Sequence, residues 1–252
     1  MKQKSRVTIL VKASPQPSKK HSETVCCAGI SAEGEWKRLF PIRFRQLGPS
    51  SNFNRWDIVE YNFESPRSDK RIESCKVFED TIEPVGRVTS PTKKSNLVNP
   101  LVVDSELEAA RLGASLAAIR PEKPELVWRR RSAQEIEEIR GAFEAQARQA
   151  SMFDQELDTL EPCPFEFKMR FFDGDGKKRE KLCSDWETSA AFFNLRKQYE
   201  ETRVLDHLFQ TYCVDYVKTG LVFALGNMAS RPQTWQLLGI FPVEQTPQLD
   251  LF

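Results

Sequence analysis

The sequence predicts an α+β protein with an N-terminal β-rich small barrel, a helical middle and a C-terminal α+β module. Three observations lead there. The first 80 or so residues hold five short apolar or alternating stretches joined by turn-rich connections, the spacing of strands in a small barrel or a strongly curved sheet. Residues 105–148 carry apolar side chains at helical spacing behind capping signals, which reads as helix. From Pro164 a clean alternation gives way to helical patterning and then to two apolar runs. The corresponding divisions are 1–83, a β-rich module; 84–163, connector and helices; 164–242, the C-terminal α+β module; and 243–252, a flexible tail.

In order along the chain, Val7–Val11 predicts the first strand and Glu23–Ile30 the second, after the loop SPQPSKKHS. Trp36–Phe44 alternates apolar and basic residues, and Pro41 within it requires an edge or a bulge. Asp57–Phe63 alternates cleanly, and Arg71–Phe78 supplies a fifth strand. Residues 84–104, rich in Pro, Ser, Thr and Lys, read as a connector, with a helix from Ser105 to Ala118 ending before Pro121. Ser132 and Glu135 form a capping box. The helix they open runs through about Arg148, with Ile136, Ile139 and Phe143 on one face for packing.

In the last module Phe165, Phe167, Met169 and Phe171 alternate with Glu166, Lys168 and Arg170, and Asp173-Gly174-Asp175-Gly176 turns into a basic strand. That is a hairpin signal. The same turn fails as a calcium loop, since Lys177 stands at a ligand position and no Glu closes it. Ser184 with Glu187 reads as a second capping box, and Asp185 lies where the helix dipole favours negative charge. Asp185 and Glu187, joined by Asp215, are also the acids that a metal-dependent nuclease would use. Leu205, Leu208, Phe209 and Tyr212 keep helical spacing, and Leu221–Leu225 and Trp235–Phe241 close the module. His207, beside Asp206, reads as a structural histidine.

Composition narrows the function classes. The chain has 252 residues, 29% of them charged, and no apolar run of membrane-spanning length. Its start, MKQKSR, leads into a strand rather than a signal peptide. Six cysteines without a CxxC pair, and only two histidines, argue against structural zinc and for a reduced, cytoplasmic setting. No P-loop, dinucleotide fingerprint or Ser/Cys-His arrangement is present, so no cofactor, metal or catalytic residue is predicted. Residues 1–100 hold 18 Lys/Arg against 11 Asp/Glu, a balance of +7, and the remainder hold 19 against 25, a balance of −6. Lys19, Lys20, Arg38, Arg43, Arg45 and Arg55 are interleaved with Trp36, Phe44 and Trp56, a mixture suited to phosphate contact and base stacking.

Gln248-Leu249-Asp250-Leu251-Phe252 follows a Pro-marked polar stretch from Pro242 to Pro247 and places three large apolar side chains on a tether, the pattern of a short linear motif. QLDLF resembles the pentapeptide with which bacterial proteins dock on the β sliding clamp, the ring that encircles DNA. The resemblance implies a polar subsite for Gln248 with Leu249 beside it, a deep apolar pocket for Leu251 and Phe252, and solvent for Asp250. Gln149-Ala150-Ser151-Met152-Phe153 resembles the same motif, with Met152 and Phe153 as anchors, and two tethered motifs would bind a ring of identical subunits with avidity. The strand spacing is similar to that of PUA-like and ASCH-like barrels, which bind nucleic acid. Pro17-Ser18-Lys19-Lys20, Glu23-Thr24-Val25-Cys26, Trp36 with Arg38-Leu39-Phe40-Pro41, Asp185-Trp186-Glu187 and Gly239-Ile240-Phe241 resemble landmarks of a bacterial family of uncharacterised activity. The expectation is a bacterial DNA-metabolism accessory protein recruited to the clamp. The alternatives are a clamp-tethered nuclease and a regulator that occupies clamp pockets without touching DNA.

Overall fold

The structure is a computed structural model that describes residues 2–14, 16–18, 22–44, 47–151 and 160–245. Its N-terminal strands are β1 (Gln3–Lys12), β2 (Gln16–Ser18), β3 (Ser22–Ser31), β4 (Trp36–Ile42), β5 (Asp57–Glu64) and β6 (Ser74–Arg87). β1 pairs antiparallel with β5 along one edge and with β3 along the other. That double pairing closes a five-stranded barrel in the order β1-β5-β6-β4-β3, with β2 added on β3. Only β4 and β6 run parallel. Closure leaves no free edge for the barrel strands to pair with another chain.

Alternation decides which side chains fill the barrel. Val7 and Ile9 of β1, Val25 and Cys27 of β3, and Val59 and Tyr61 of β5 face inward, and Phe53 joins them from the loop before β5. Leu10, Val11, Ala28 and Ile30 point outward but are buried too, beneath the C-terminal half of the chain. Strands covered on both faces read as continuous apolar runs, as Val7–Val11 does. The β3–β4 register shifts from Cys27↔Leu39 to Val25↔Ile42, so Phe40 and Pro41 together oppose Cys26. Pro41 therefore sits in a bulge, which is where a residue without an N–H is tolerated.

Residues 84–104 are more regular than a connector. β6 continues to Arg87, and Ser90 caps helix α1 (Pro91–Val98), with its Oγ accepting from the Lys93 amide and Pro91 in the first turn. A Ser-Pro pair ahead of a polar run is a legible helix start. The helix expected over Ser105–Ala118 is only α2 (Glu106–Arg111), which Ser105 caps through the Glu108 amide. Gly113, at φ 74°, turns the chain, and Leu116–Ile119 becomes the buried strand β7. Leu-Ala-Ala-Ile fits either state by propensity, and full burial beside another strand decides it.

Two further sheets complete the molecule. One, in the order β10-β9-β8, is built from β8 (Glu122–Arg130), β9 (Phe165–Phe172) and β10 (Lys178–Leu182), and the other places β11 (Leu221–Met228) between β12 (Arg231–Pro242) and β7. Thus the stretch expected to be connector and helices gives one strand to each C-terminal sheet. Ser132 and Glu135 exchange the two capping-box hydrogen bonds at 3.2 and 2.8 Å, and α3 (Ala133–Ser151) follows. α4 (Trp186–Leu195), α5 (Glu201–Phe209), a π-helical segment (Gln210–Asp215) and α6 (Tyr216–Thr219) cover the sheets. Phe192 of α4 is fully buried and packs edge-on to Phe165, with ring centroids 5.5 Å apart. The alternation of β9 is exact in burial, with Phe165, Phe167, Met169 and Phe171 inward. Among the described residues no helix is long and apolar enough to cross a membrane.

Barrel closure makes a testable demand at Gly29. A Cβ added there would lie 2.4 Å from the Thr8 carbonyl oxygen on β1, a backbone atom that cannot move without opening the β1–β3 pairing. Gly29→Ala is expected to lower stability by about 1–3 kcal/mol, read as a lower urea midpoint. An unchanged midpoint would mean that β1 and β3 are not so closely joined.

Candidate functional site

The most ordered polar site lies where the barrel meets the C-terminal sheets, and Arg55 and Asp185 form its centre. Arg55 precedes β5 in a turn in which Trp56 takes φ 73°, a left-handed conformation that a bulky side chain adopts at a cost of about 1–2 kcal/mol. The turn is held by the Trp56 amide donating to Ile9 O at 2.7 Å and by Trp56 O accepting from the Val88 amide at 2.8 Å. It sends both side chains across the seam. Trp56 packs edge-on to Phe241 of β12 with centroids 5.5 Å apart. Arg55 donates from Nη2 to both Asp185 oxygens at 2.8 and 2.9 Å, from Nη1 to Ile240 O at 2.7 Å and from Nε to Leu10 O at 2.9 Å.

Asp185 is equally committed. Besides Arg55, its carboxylate accepts the Ile240 amide at 2.9 Å and the Glu187 amide at 3.1 Å. The second contact makes Asp185, rather than Ser184, the N-cap of α4, so the expected Ser184–Glu187 box is replaced by a cap from the residue between them. Glu187 instead pairs with buried Lys12 at 3.1 Å. Burial pushes the Asp185 carboxyl up, against the pull of the Arg55 guanidinium. For Arg55 burial is the largest single influence and acts downward, but the charge and hydrogen bonds of Asp185 together with the charge of Glu187 raise the pKa overall. The Asp185 carboxylate accepts four hydrogen bonds from three nitrogens, Arg55 Nη2, Ile240 N and Glu187 N, so both of its oxygens are already engaged. The nuclease role considered for Asp185 therefore has no geometric basis, and among the described residues no group of three His, Cys, Asp or Glu is arranged to hold a metal ion.

A second polar bridge crosses the same seam. Glu73, 5% exposed, accepts the Ser115 amide at 2.6 Å and the Ser115 hydroxyl at 2.7 Å, and Arg38 Nη2 donates to Ser115 O at 2.9 Å. Arg71 reaches across to Asn227 O at 2.8 Å while pairing with Asp69.

These contacts reassign the expected nucleic-acid face. Trp36, Arg38 and Trp56 are buried in the seam and Arg55 is spent within it, so none of the four presents a phosphate or stacking contact to solvent. The alternation of aromatic and basic residues that suggested an open face serves an internal interface. Phe44 is half-buried and packs edge-on to Phe53 at 5.1 Å. Arg43 is exposed but paired with Glu79. Lys19, Lys20 and Arg45 lie outside the described residues, as do Met152, Phe153 and Gln248, Leu249, Asp250, Leu251 and Phe252. Gln149 falls in the last turn of α3, which runs through Ser151.

Two other features bear on chemistry. Burial pushes the Cys183 thiol up to about 12 and the Cys213 thiol up to about 11, which keeps both protonated and unreactive at neutral pH. An apolar groove of about 380 Å³ opens between α3, β9 and α4, walled by Ile139, Phe143, Phe165, Trp186 and Phe193, with Arg131 at its side.

Comparison with known families divides the chain at the same seam. Residues 102–252 match a family described as Domain of unknown function (DUF8757). The chain belongs to the DUF8757 family. Residues 3–100 match a second, Domain of unknown function (DUF8758), and the boundary between the two matches falls in the 3-10 turn Asn99–Leu101. Arg55 thus lies in the DUF8758 region and Asp185 in the DUF8757 region. No curated protein matches the chain.

Removing either partner of the central pair strands a buried charge. Asp185→Ala and Arg55→Ala are each expected to cost about 3–5 kcal/mol, while Arg55→Met with Asp185→Leu should cost clearly less than the sum of the single changes. Chemical denaturation of the three variants measures this, and additive losses would show that the pair is not coupled.

Proposed function

We propose that the protein is a bacterial, cytoplasmic accessory of DNA metabolism, brought to the β sliding clamp by Gln248-Leu249-Asp250-Leu251-Phe252. The observation that carries the reading is the pentapeptide itself, close in sequence behind the last attachments of the fold among the described residues. The Val243 amide donates to Gly220 O at 2.7 Å, and Glu244 O accepts from Ser95 Oγ at 3.0 Å and Asn99 Nδ2 at 3.1 Å. Val243 is also the last core residue among those described. The terminal pentapeptide begins four residues after Glu244 and carries three large apolar side chains, Leu249, Leu251 and Phe252. Apolar side chains spaced in this way on a short peptide suit a pocket on another protein.

The internal QASMF is the weaker of the two motifs in this reading. Gln149, Ala150 and Ser151 are helical, so an extended pose requires the last turn of α3 to unwind. The closed barrel supports the PUA-like comparison at the level of strand number, and nucleic-acid contact remains part of the proposal. The reading as a clamp-occupying regulator draws support from the surface of the barrel. Its exposed cations are largely paired with acids, Lys4 and Arg6 with Glu60, Lys76 with Glu64 and Arg87 with Asp57.

Titration of purified clamp against the full chain and against a form lacking Leu251 and Phe252 tests the proposal. Each anchor contributes roughly 1.5–3 kcal/mol of burial, so the truncated form should bind about a hundredfold more weakly or worse with an unchanged melting curve. Equal binding by both forms would refute recruitment by the tail. Salt-sensitive binding of DNA by the full chain favours the accessory over the regulator.

A further inference from the structure

With Trp36, Arg38, Arg55 and Trp56 withdrawn into the seam, the nucleic-acid contact needs other residues. The turn between α4 and α5 supplies them. Arg196, Lys197, Gln198, Tyr199, Glu200 and Arg203 line a cleft of about 370 Å³, three cations against one carboxylate in a half of the chain whose balance is otherwise acidic. The turn is tight, with the Gln198 and Tyr199 amides both donating to Leu195 O at 2.9 and 3.0 Å, so the cations are crowded onto one short stretch of surface.

The local packing leaves those charges available. Arg203 lies over the Tyr199 ring, 4.8 Å from its centroid, while the other neighbour of Tyr199 is His207 at 4.9 Å. Stacking orients the Arg203 guanidinium but takes none of its five N–H donors, and among the described residues it has no carboxylate partner. Among the described residues Lys197 donates to the Asn194 amide oxygen alone, at 3.4 Å. Arg196 lies over Phe193 at 4.6 Å and pairs with Glu161, an exposed pair that contributes little and exchanges readily. The neighbouring Glu201 is engaged by Arg130, which leaves Glu200 as the acid facing the cleft.

We propose that this cleft binds the phosphate backbone of a nucleic acid, with Arg203 and Lys197 as the principal contacts and Arg196 beside them. The inference rests on the nucleic-acid part of the proposed function and supplies the surface that part lacks. Three cations along a turn, one of them held flat on an aromatic ring, suit a polyanion running across the surface. Recognition is of backbone rather than sequence.

Binding of fluorescently labelled single-stranded and duplex oligonucleotides, followed by anisotropy over a salt series, tests it. Lys197→Glu with Arg203→Glu should weaken binding at least tenfold and reduce the salt slope by about two, with clamp binding unchanged. Lys197→Gln with Arg203→Gln, which keeps the turn without reversing its charge, should show the same direction if the first variant is less stable. An affinity and slope that neither pair of changes alters would overturn the cleft while leaving nucleic-acid binding intact. A wild-type chain that binds no oligonucleotide would overturn both the cleft and the nucleic-acid reading, though not clamp recruitment. Displacement of the oligonucleotide by inorganic phosphate at comparable concentration would show a free-anion site and overturn the backbone proposal.

Discussion

Arg55 carries a charge into a buried seam, and each of its three side-chain nitrogens donates there. Two of its bonds go to Asp185, one to the backbone of β1 and one to the backbone of β12. Those partners come from both halves of the chain, so the pair can be satisfied only when the halves are docked. Apolar burial supplies most of the attraction, through Leu10, Val11 and Ile30 on the barrel and Val222, Leu238 and Phe241 on the C-terminal sheet. Apolar burial is indifferent to small slides and rotations, whereas a bidentate ion pair is not. The buried pair therefore fixes the register of the seam. The Glu73–Ser115–Arg38 bridge and the Arg71 contact to Asn227 repeat the device at a second point.

The barrel strands and the β9–β10 hairpin were legible because period-2 alternation is strong wherever one face is buried, and Pro41 announced its bulge. The Ser132–Glu135 cap was equally readable, because a capping box is a local device. What could not be read was anything decided by contacts across the seam. Arg55 and Trp56 resemble surface-binding residues in composition, and only the left-handed turn at Trp56 and the distant Asp185 convert them into an interface. Leu116–Ile119 lacks polar residues to set a period, so its state waits on its neighbour in the sheet. Ser184 with Glu187 suggested a capping box, and α4 is capped instead by Asp185, whose carboxylate also holds Arg55. The cluster Arg196, Lys197 and Arg203 carried a signal that could have been found, a dense basic run around Tyr199 in an acidic half. It was obscured by Glu200 and Glu201, whose different engagements only the structure separates.

A seam this heavily bonded has consequences for function. Its central polar groups are engaged with each other and with backbone, as Asp185 is with Arg55 and with the Ile240 and Glu187 amides. The partner contacts proposed above lie elsewhere in the chain, in the terminal peptide that follows Glu244 in sequence and in the cationic turn between α4 and α5. In that proposal neither contact draws on the residues of the seam.

The central claim is that the DUF8758 and DUF8757 regions unfold as one unit because the Arg55–Asp185 seam joins them. Native-state hydrogen exchange across a denaturant series measures this directly, by comparing the most protected amides of β3 in the barrel with those of β11 in the C-terminal sheet. The account predicts that the two sets converge on the same opening free energy and the same denaturant dependence. Barrel amides that open at a distinctly lower free energy than those of β11, or the reverse, would contradict it.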